Sequence, residues 1–113
     1  MFARLFGLKS ISPRDLLPLI QEKKVTTFDV NSPQSWKKAH VPQARNIDPL
    51  AYVDSDLPSD KNSSLVFYCS NFLCRKAPNA ALRAKRLGYD NVSVMSAGIS
   101  GWLAAGLPTE SGE

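Results

Sequence analysis

At 113 residues the chain is long enough for one domain with a real hydrophobic core and too short for two ordinary ones. Its formal charge of +4 comes from 14 Lys and Arg against 10 Asp and Glu, and the basic residues are scattered as "KK", "RK" and "RAKR" without interleaved aromatics, which argues against a nucleic-acid partner and for a mildly anion-attracting surface. Apolar runs of a few residues fall far short of the ~20 that a membrane span needs. The two cysteines share one short window, so they cannot staple distant parts of a small secreted domain; they point to a reducing, cytoplasmic setting and to reactive thiols.

In chain order, "MFARLFGLKS" carries a lone Arg and some apolar residues but no long apolar core or cleavage site, so residues 1–9 are expected to be an N-terminal extension. The domain is expected over 10–109, with 110–113 as a tail. "ISPRDLLPLIQEKK" predicts a helix capped by Ser12, with Pro13 at its first position, Asp15 three residues after the cap, and Leu16, Leu17, Leu19 and Ile20 as its buried face. "VTTFDV" is β-branched and aromatic and ends at Asn31-Ser32-Pro33, which predicts a buried strand. A short helix anchored by Trp36 follows, then a brief strand in "ARNID" and a polar, Pro-punctuated connection with room for one helical turn.

"LVFYC" is the clearest strand. After it, "KAPNAALRAKRLG" predicts a helix with Ala77, Ala81, Ala84 and Leu87 on one face, basic residues in its last turns and Gly88 as its stop. "NVSVM" reads as a further strand, and "SAGISGWLAAGLP" as a turn and a short helix ending at Gly106. This alternation of strand and helix is the pattern of an α/β domain with a mainly parallel sheet.

The chemistry concentrates in "CSNFLCR". In open α/β sheets ligands settle outside the carboxyl ends of strands, and Cys69 is predicted at such an end with a helix starting just beyond it. The amides of Ser70, Asn71, Phe72, Leu73, Cys74 and Arg75 can then curl around one point, where the helix N-terminus adds about half a positive charge. A free thiol titrates near a pKa of about 8.5, and a helix N-terminus with a nearby cation lowers it and makes the nucleophilic thiolate available. Arg75 is the candidate cation, able to fork two donors onto an oxyanion. The structural alternative is that Cys69 closes the strand as a small hydrophobe. Cys74 is a candidate resolving thiol, able to attack an adduct on Cys69 and leave a disulfide, or else a residue packed under the first turn of the helix.

Three segments in order, "DVNSPQSWKKAHVPQARNI", "FYCSNFLCR" and "SAGISGWLAAGLP", resemble a rhodanese-homology domain over residues 11–108. The upstream match lies at Asp29, Val30, His40, Val41, Pro42, Ala44, Asn46 and Ile47, and the downstream match at Gly98, Gly101, Trp102, Ala105, Gly106, Leu107 and Pro108. The resemblance implies a parallel sheet of about five strands flanked by helices. It also implies a sulfurtransferase in which Cys69 takes sulfane sulfur from a donor such as thiosulfate, holds it as a persulfide within the loop amides, and passes it to cyanide or a thiol, a thiol-bearing acceptor protein included. No cofactor and no metal are implied.

The departures from the family pattern define what else is open. Asn31 stands where the family has Arg and Ser35 where it has an acidic residue, which reads as loss of a structural ion pair; Ala39 and Gln43 replace two glycines. His40, far in sequence from Cys69, is read as structural. Small sulfurtransferases place four residues between the cysteine and the arginine, whereas five here resemble rhodanese-related cell-cycle phosphatases and arsenate reductases. Those enzymes carry His where this chain has Tyr68, and more polar loops than Phe72-Leu73-Cys74. A phosphatase or arsenate reductase, and an inactive rhodanese module used for binding, are therefore the alternatives.

Overall fold

The computed structural model describes residues 8–112; most of the expected N-terminal extension at 1–9, and Glu113 of the expected tail, lie outside the described residues. Five strands, β1 (Lys9–Ser10), β2 (Thr26–Asp29), β3 (Arg45–Asn46), β4 (Leu65–Tyr68) and β5 (Val92–Val94), form one sheet in the order β1-β5-β4-β2-β3. Every adjacent pair is parallel. The helices of the described residues are α1 (Pro13–Gln21), α2 (Pro33–Lys38), α3 (Lys76–Arg86) and α4 (Gly98–Ala104), and a 3-10 turn (Asp54–Asp56) interrupts the connection between β3 and β4. The expected α/β class with a five-stranded parallel sheet is what the chain adopts.

A parallel sheet is stable only with both faces covered, and the alternation of β4 shows how this is done. Phe67 and Cys69 turn to one face, where they meet Phe28 and Val94 and the alanines Ala77, Ala80, Ala81 and Ala84 of α3, with Tyr52 and Leu57 from the long connection closing the rim. Val66 and Tyr68 turn to the other, against Leu16 and Ile20 of α1 and Trp102 of α4. Methyl side chains let α3 lie close on the sheet, and each large side chain buried beneath it, such as Phe67, contributes roughly 1.5–3 kcal/mol.

Local signals behave as their chemistry requires. Ser12 Oγ accepts from the Asp15 amide at 3.1 Å and Pro13 opens α1. Leu16 and Ile20 are buried, whereas Leu17 and Leu19 are only half-buried because the helix lies at the edge of its core. Strand β1 has no counterpart in the sequence pattern: two residues are too few to show a period, and Lys9 and Ser10 pair with Ser93 and Val94 at the sheet edge while Leu8 is buried. No helix among the described residues is long and apolar enough to cross a membrane.

Candidate active site

Because the strands run parallel, their carboxyl ends share one edge, and Cys69 lies there directly after β4 with only 3% of its surface exposed. The backbone around it is held from the far side. Two amides in the first turn of α4, which have no partner within their own helix, are satisfied by the loop: Ile99 N donates to the Cys69 carbonyl and Ser100 N to the Ser70 carbonyl, each at 2.9 Å. This close approach depends on Gly98. Its φ is +65°, and a Cβ there would lie 2.6 Å from the carbonyl carbon and oxygen of Ser70. On the near side Ser70 Oγ donates to Asn31 Oδ1 at 2.9 Å, joining the loop to the end of β2.

Within the loop, Asn71 folds the chain back on itself. Its side-chain oxygen accepts from the Leu73 amide at 3.0 Å and its carbonyl from the Cys74 amide at 3.1 Å. The turn returns Cys74 to Cys69, and the two are joined as a disulfide with their Cα atoms 6.4 Å apart. Of the two placements open for Cys74 in the sequence, the thiols therefore face one another, and Cys74 also packs half-buried against the core below α3. In this closed form the Leu73 and Cys74 amides are engaged by Asn71, so the six loop N–H groups do not all converge on one point. The remaining hollow over Cys69, Asn71, Phe72, Cys74 and Pro78 is about 10 Å³, the room of a single water.

Three further loop residues face outward. Phe72 and Leu73 form its tip, 64% and 65% exposed. Arg75 is exposed and stands just ahead of α3 as its cap, with no side-chain capping bond. Beside the loop a groove of about 280 Å³ opens between the ends of β2 and β3 and the start of α3; it is lined by Val30, Asn31, Ile47, Leu50 and Lys76 among others and shares Asn31 with the loop.

Tyr68 points away from Cys69, to the opposite face of the sheet. Its hydroxyl donates to Asp29 Oδ2 at 2.6 Å and accepts from the Val41 amide at 3.0 Å. Burial holds the phenol well above its usual range, reinforced by the neighbouring Asp29 charge. Burial likewise raises the Asp29 carboxyl above its ordinary 3.8, although the bonds from Tyr68 and from the Asn31 amide at 2.8 Å pull the other way.

His40 is part of the frame. Its Nδ1 donates to the Trp36 carbonyl at 2.7 Å, its ring stacks on the Trp36 ring at 4.2 Å, and its backbone pairs with Glu110 in both directions. Ser35 belongs to α2, where its amide donates to Ser32 Oγ. The two positions read in the sequence as a lost ion pair thus have separate partners, Asn31 in the Cys69 loop and Ser35 in a helix cap. Asn31 is the residue that sequence reasoning missed; a side-chain bond spanning 39 positions leaves no local signal. Gly98 was matched to a motif, but its reason, contact with Ser70, appears only in three dimensions.

Two curated proteins are similar in sequence. An uncharacterized protein of Synechocystis is 29% identical over 88% of this chain and 55% of its own length, and a HTH-type transcriptional regulator of Mycobacterium tuberculosis is 30% identical over 91% of this chain and 45% of its own. The chain thus spans about half the length of the curated relatives it matches. Among solved structures, a Bacillus halodurans protein superposes with a TM-score of 0.83 at 22% identity, covering 97% of this chain and 81% of that one. A Rhodopseudomonas palustris protein of unknown function, described as a possible tyrosine phosphatase, gives 0.74 at 22% identity, with 92% and 86% covered. The human single domain sulfurtransferase gives 0.71 at 21% identity, with 87% and 97% covered. At these identities the superpositions establish the fold. The model of the rhodanese-like domain matches residues 12–105, nearly the whole described chain with its Cys69 loop, and the chain belongs to the rhodanese-like domain family.

Proposed function

We propose that the domain is a sulfurtransferase in which Cys69 accepts sulfane sulfur from a donor such as thiosulfate. The observation that supports this reading is the position of Cys69: a buried cysteine at the carboxyl end of a central strand, its carbonyl bonded to α4, at the base of a loop that leads into α3. The thiolate attacks the outer sulfur of thiosulfate, that sulfur's bond to the sulfonate breaks, and sulfite leaves with the electron pair, giving the Cys69 persulfide. Arg75 and the amides of Ser70 to Arg75 supply positive potential for donor and persulfide once the disulfide is reduced and the loop released.

Reduced protein treated with thiosulfate is expected to release about one sulfite per chain, and the reduced Cys74→Ser variant to hold the gained sulfur as about 32 Da on Cys69, read by peptide mass spectrometry. No sulfite from either protein at saturating donor sinks the proposal. A second reading, oxyanion chemistry on phosphate or arsenate, is favoured by the five residues between Cys69 and Arg75. It predicts aryl phosphate hydrolysis abolished by Cys69→Ser. No turnover with any donor leaves the binding module.

A further inference from the structure

Resting on the sulfurtransferase reading, we propose that Cys74 is a resolving thiol that converts the domain from a carrier of sulfur into a dithiol-dependent sulfane-sulfur reductase that releases sulfide. Three observations carry it. The Asn71 turn brings Cys74 onto Cys69 itself, so the two sulfurs meet between the end of β4 and the start of α3. Cys74 occupies the position just before Arg75, so the longer spacing of this loop is filled at its end by a second thiol. The joined form leaves only about 10 Å³ over Cys69, too little for a donor, so the bonded state is one from which a new cycle starts only after reduction.

The chemistry balances as follows. In the persulfide Cys69–S–S⁻, the Cys74 thiol attacks the inner sulfur, Cys69 Sγ. The Sγ–Sγ bond forms, the bond from Cys69 Sγ to the outer sulfur breaks, and that sulfur departs with the electron pair and the Cys74 proton as HS⁻. The outer sulfur is reduced and the two cysteine sulfurs are oxidised to the disulfide. A dithiol then attacks the disulfide, becomes a disulfide itself and restores both protein thiols. Over a cycle, thiosulfate and a dithiol give sulfite, sulfide and the oxidised dithiol.

The test is a single turnover without reductant. Protein reduced with dithiothreitol and freed of it anaerobically is given thiosulfate, and sulfite, sulfide, intact mass and free thiols are measured for wild type and Cys74→Ser. Wild type is expected to release about one sulfite and one sulfide per chain and to finish about 2 Da lighter, with both thiols lost. Cys74→Ser is expected to release sulfite without sulfide and to keep an adduct of about 32 Da. Dithiothreitol in excess is expected to support continued sulfide release by wild type, at least about tenfold faster than by the variant. Wild type that keeps the adduct while Cys74 remains open to alkylation overturns the inference alone, as does equal sulfide from the two proteins. Sulfite from neither overturns it together with the sulfurtransferase reading. The wild-type mass change needs no substitution, so a poorly folded variant does not shelter the proposal.

Discussion

Ser70 Oγ and Asn31 Oδ1 lie 2.9 Å apart and join the residue after Cys69 to the end of β2, across 39 positions of sequence. A hydrogen bond of this kind is worth about 0.5–1.5 kcal/mol net. Asn31→Ala and Ser70→Ala are each expected to lower stability by about 1 kcal/mol, and the double variant by less than the sum, with a coupling of at least ~0.5 kcal/mol in urea denaturation. Strict additivity would show that the bond contributes nothing. Because the pair holds the loop of Cys69, the proposed nucleophile, both variants are also expected to slow alkylation of reduced Cys69 to the same extent.

Gly98 tolerates no side chain. A left-handed φ costs an L-residue roughly 1–2 kcal/mol, and contact with the Ser70 backbone adds overpacking of about 1–3 kcal/mol. Gly98→Ala is therefore expected to destabilise the fold by at least about 2 kcal/mol in thermal or urea melts. Gly106, also at positive φ but with no atom near its missing Cβ, is the control. Its alanine variant is expected to lose about 1 kcal/mol.

Asp29 carries a stability cost that depends on pH. Its carboxyl titrates above 3.8 in the fold because burial disfavours the charge. Below 3.8 both states hold the proton and nothing is lost. Between that value and the folded pKa the folded state keeps a proton that the unfolded state releases, so stability falls as pH rises; above the folded pKa the full cost is present. Asp29→Asn removes this slope. Urea midpoints from about pH 3.5 to about pH 7 are expected to show wild type gaining on the variant as pH falls, and parallel profiles would exclude titration of Asp29 in that window.

Gln43 stands where the family pattern has glycine, and it keeps glycine's conformation with φ at 66°. Its amide donates to Glu110 Oε1, a bond that survives any non-proline substitution. Gln43→Gly is expected to raise stability by about 0.5–1 kcal/mol, relief of left-handed strain outweighing glycine's extra unfolded-state entropy. A lower melting temperature would mean that the Gln43 side chain stabilises more than its backbone costs.

The elements of this protein follow from short-range chemistry that the sequence displays: Ser12 and Pro13 start a helix whatever surrounds them, the alanine face of α3 marks a helix that lies against a sheet, and the apolar run before Cys69 makes a buried strand. Cys69 as the site candidate was legible for the same reason, since a strand end followed by a helix start is a local pattern. What only the tertiary structure decided are relationships between segments distant in the chain. Lys9 and Ser10 become a strand because Ser93 and Val94 offer an unpaired edge. Asn31 reaches the loop because parallel packing sets the end of β2 beside the end of β4. Gly98 is required because α4 returns to the Ser70 backbone. Cys74 is the intermediate case: its spacing from Cys69 is printed in the sequence, but whether two thiols five positions apart meet depends on the path of the turn between them, and Asn71, following a Ser70 that is held by Asn31 and by α4, makes that turn close.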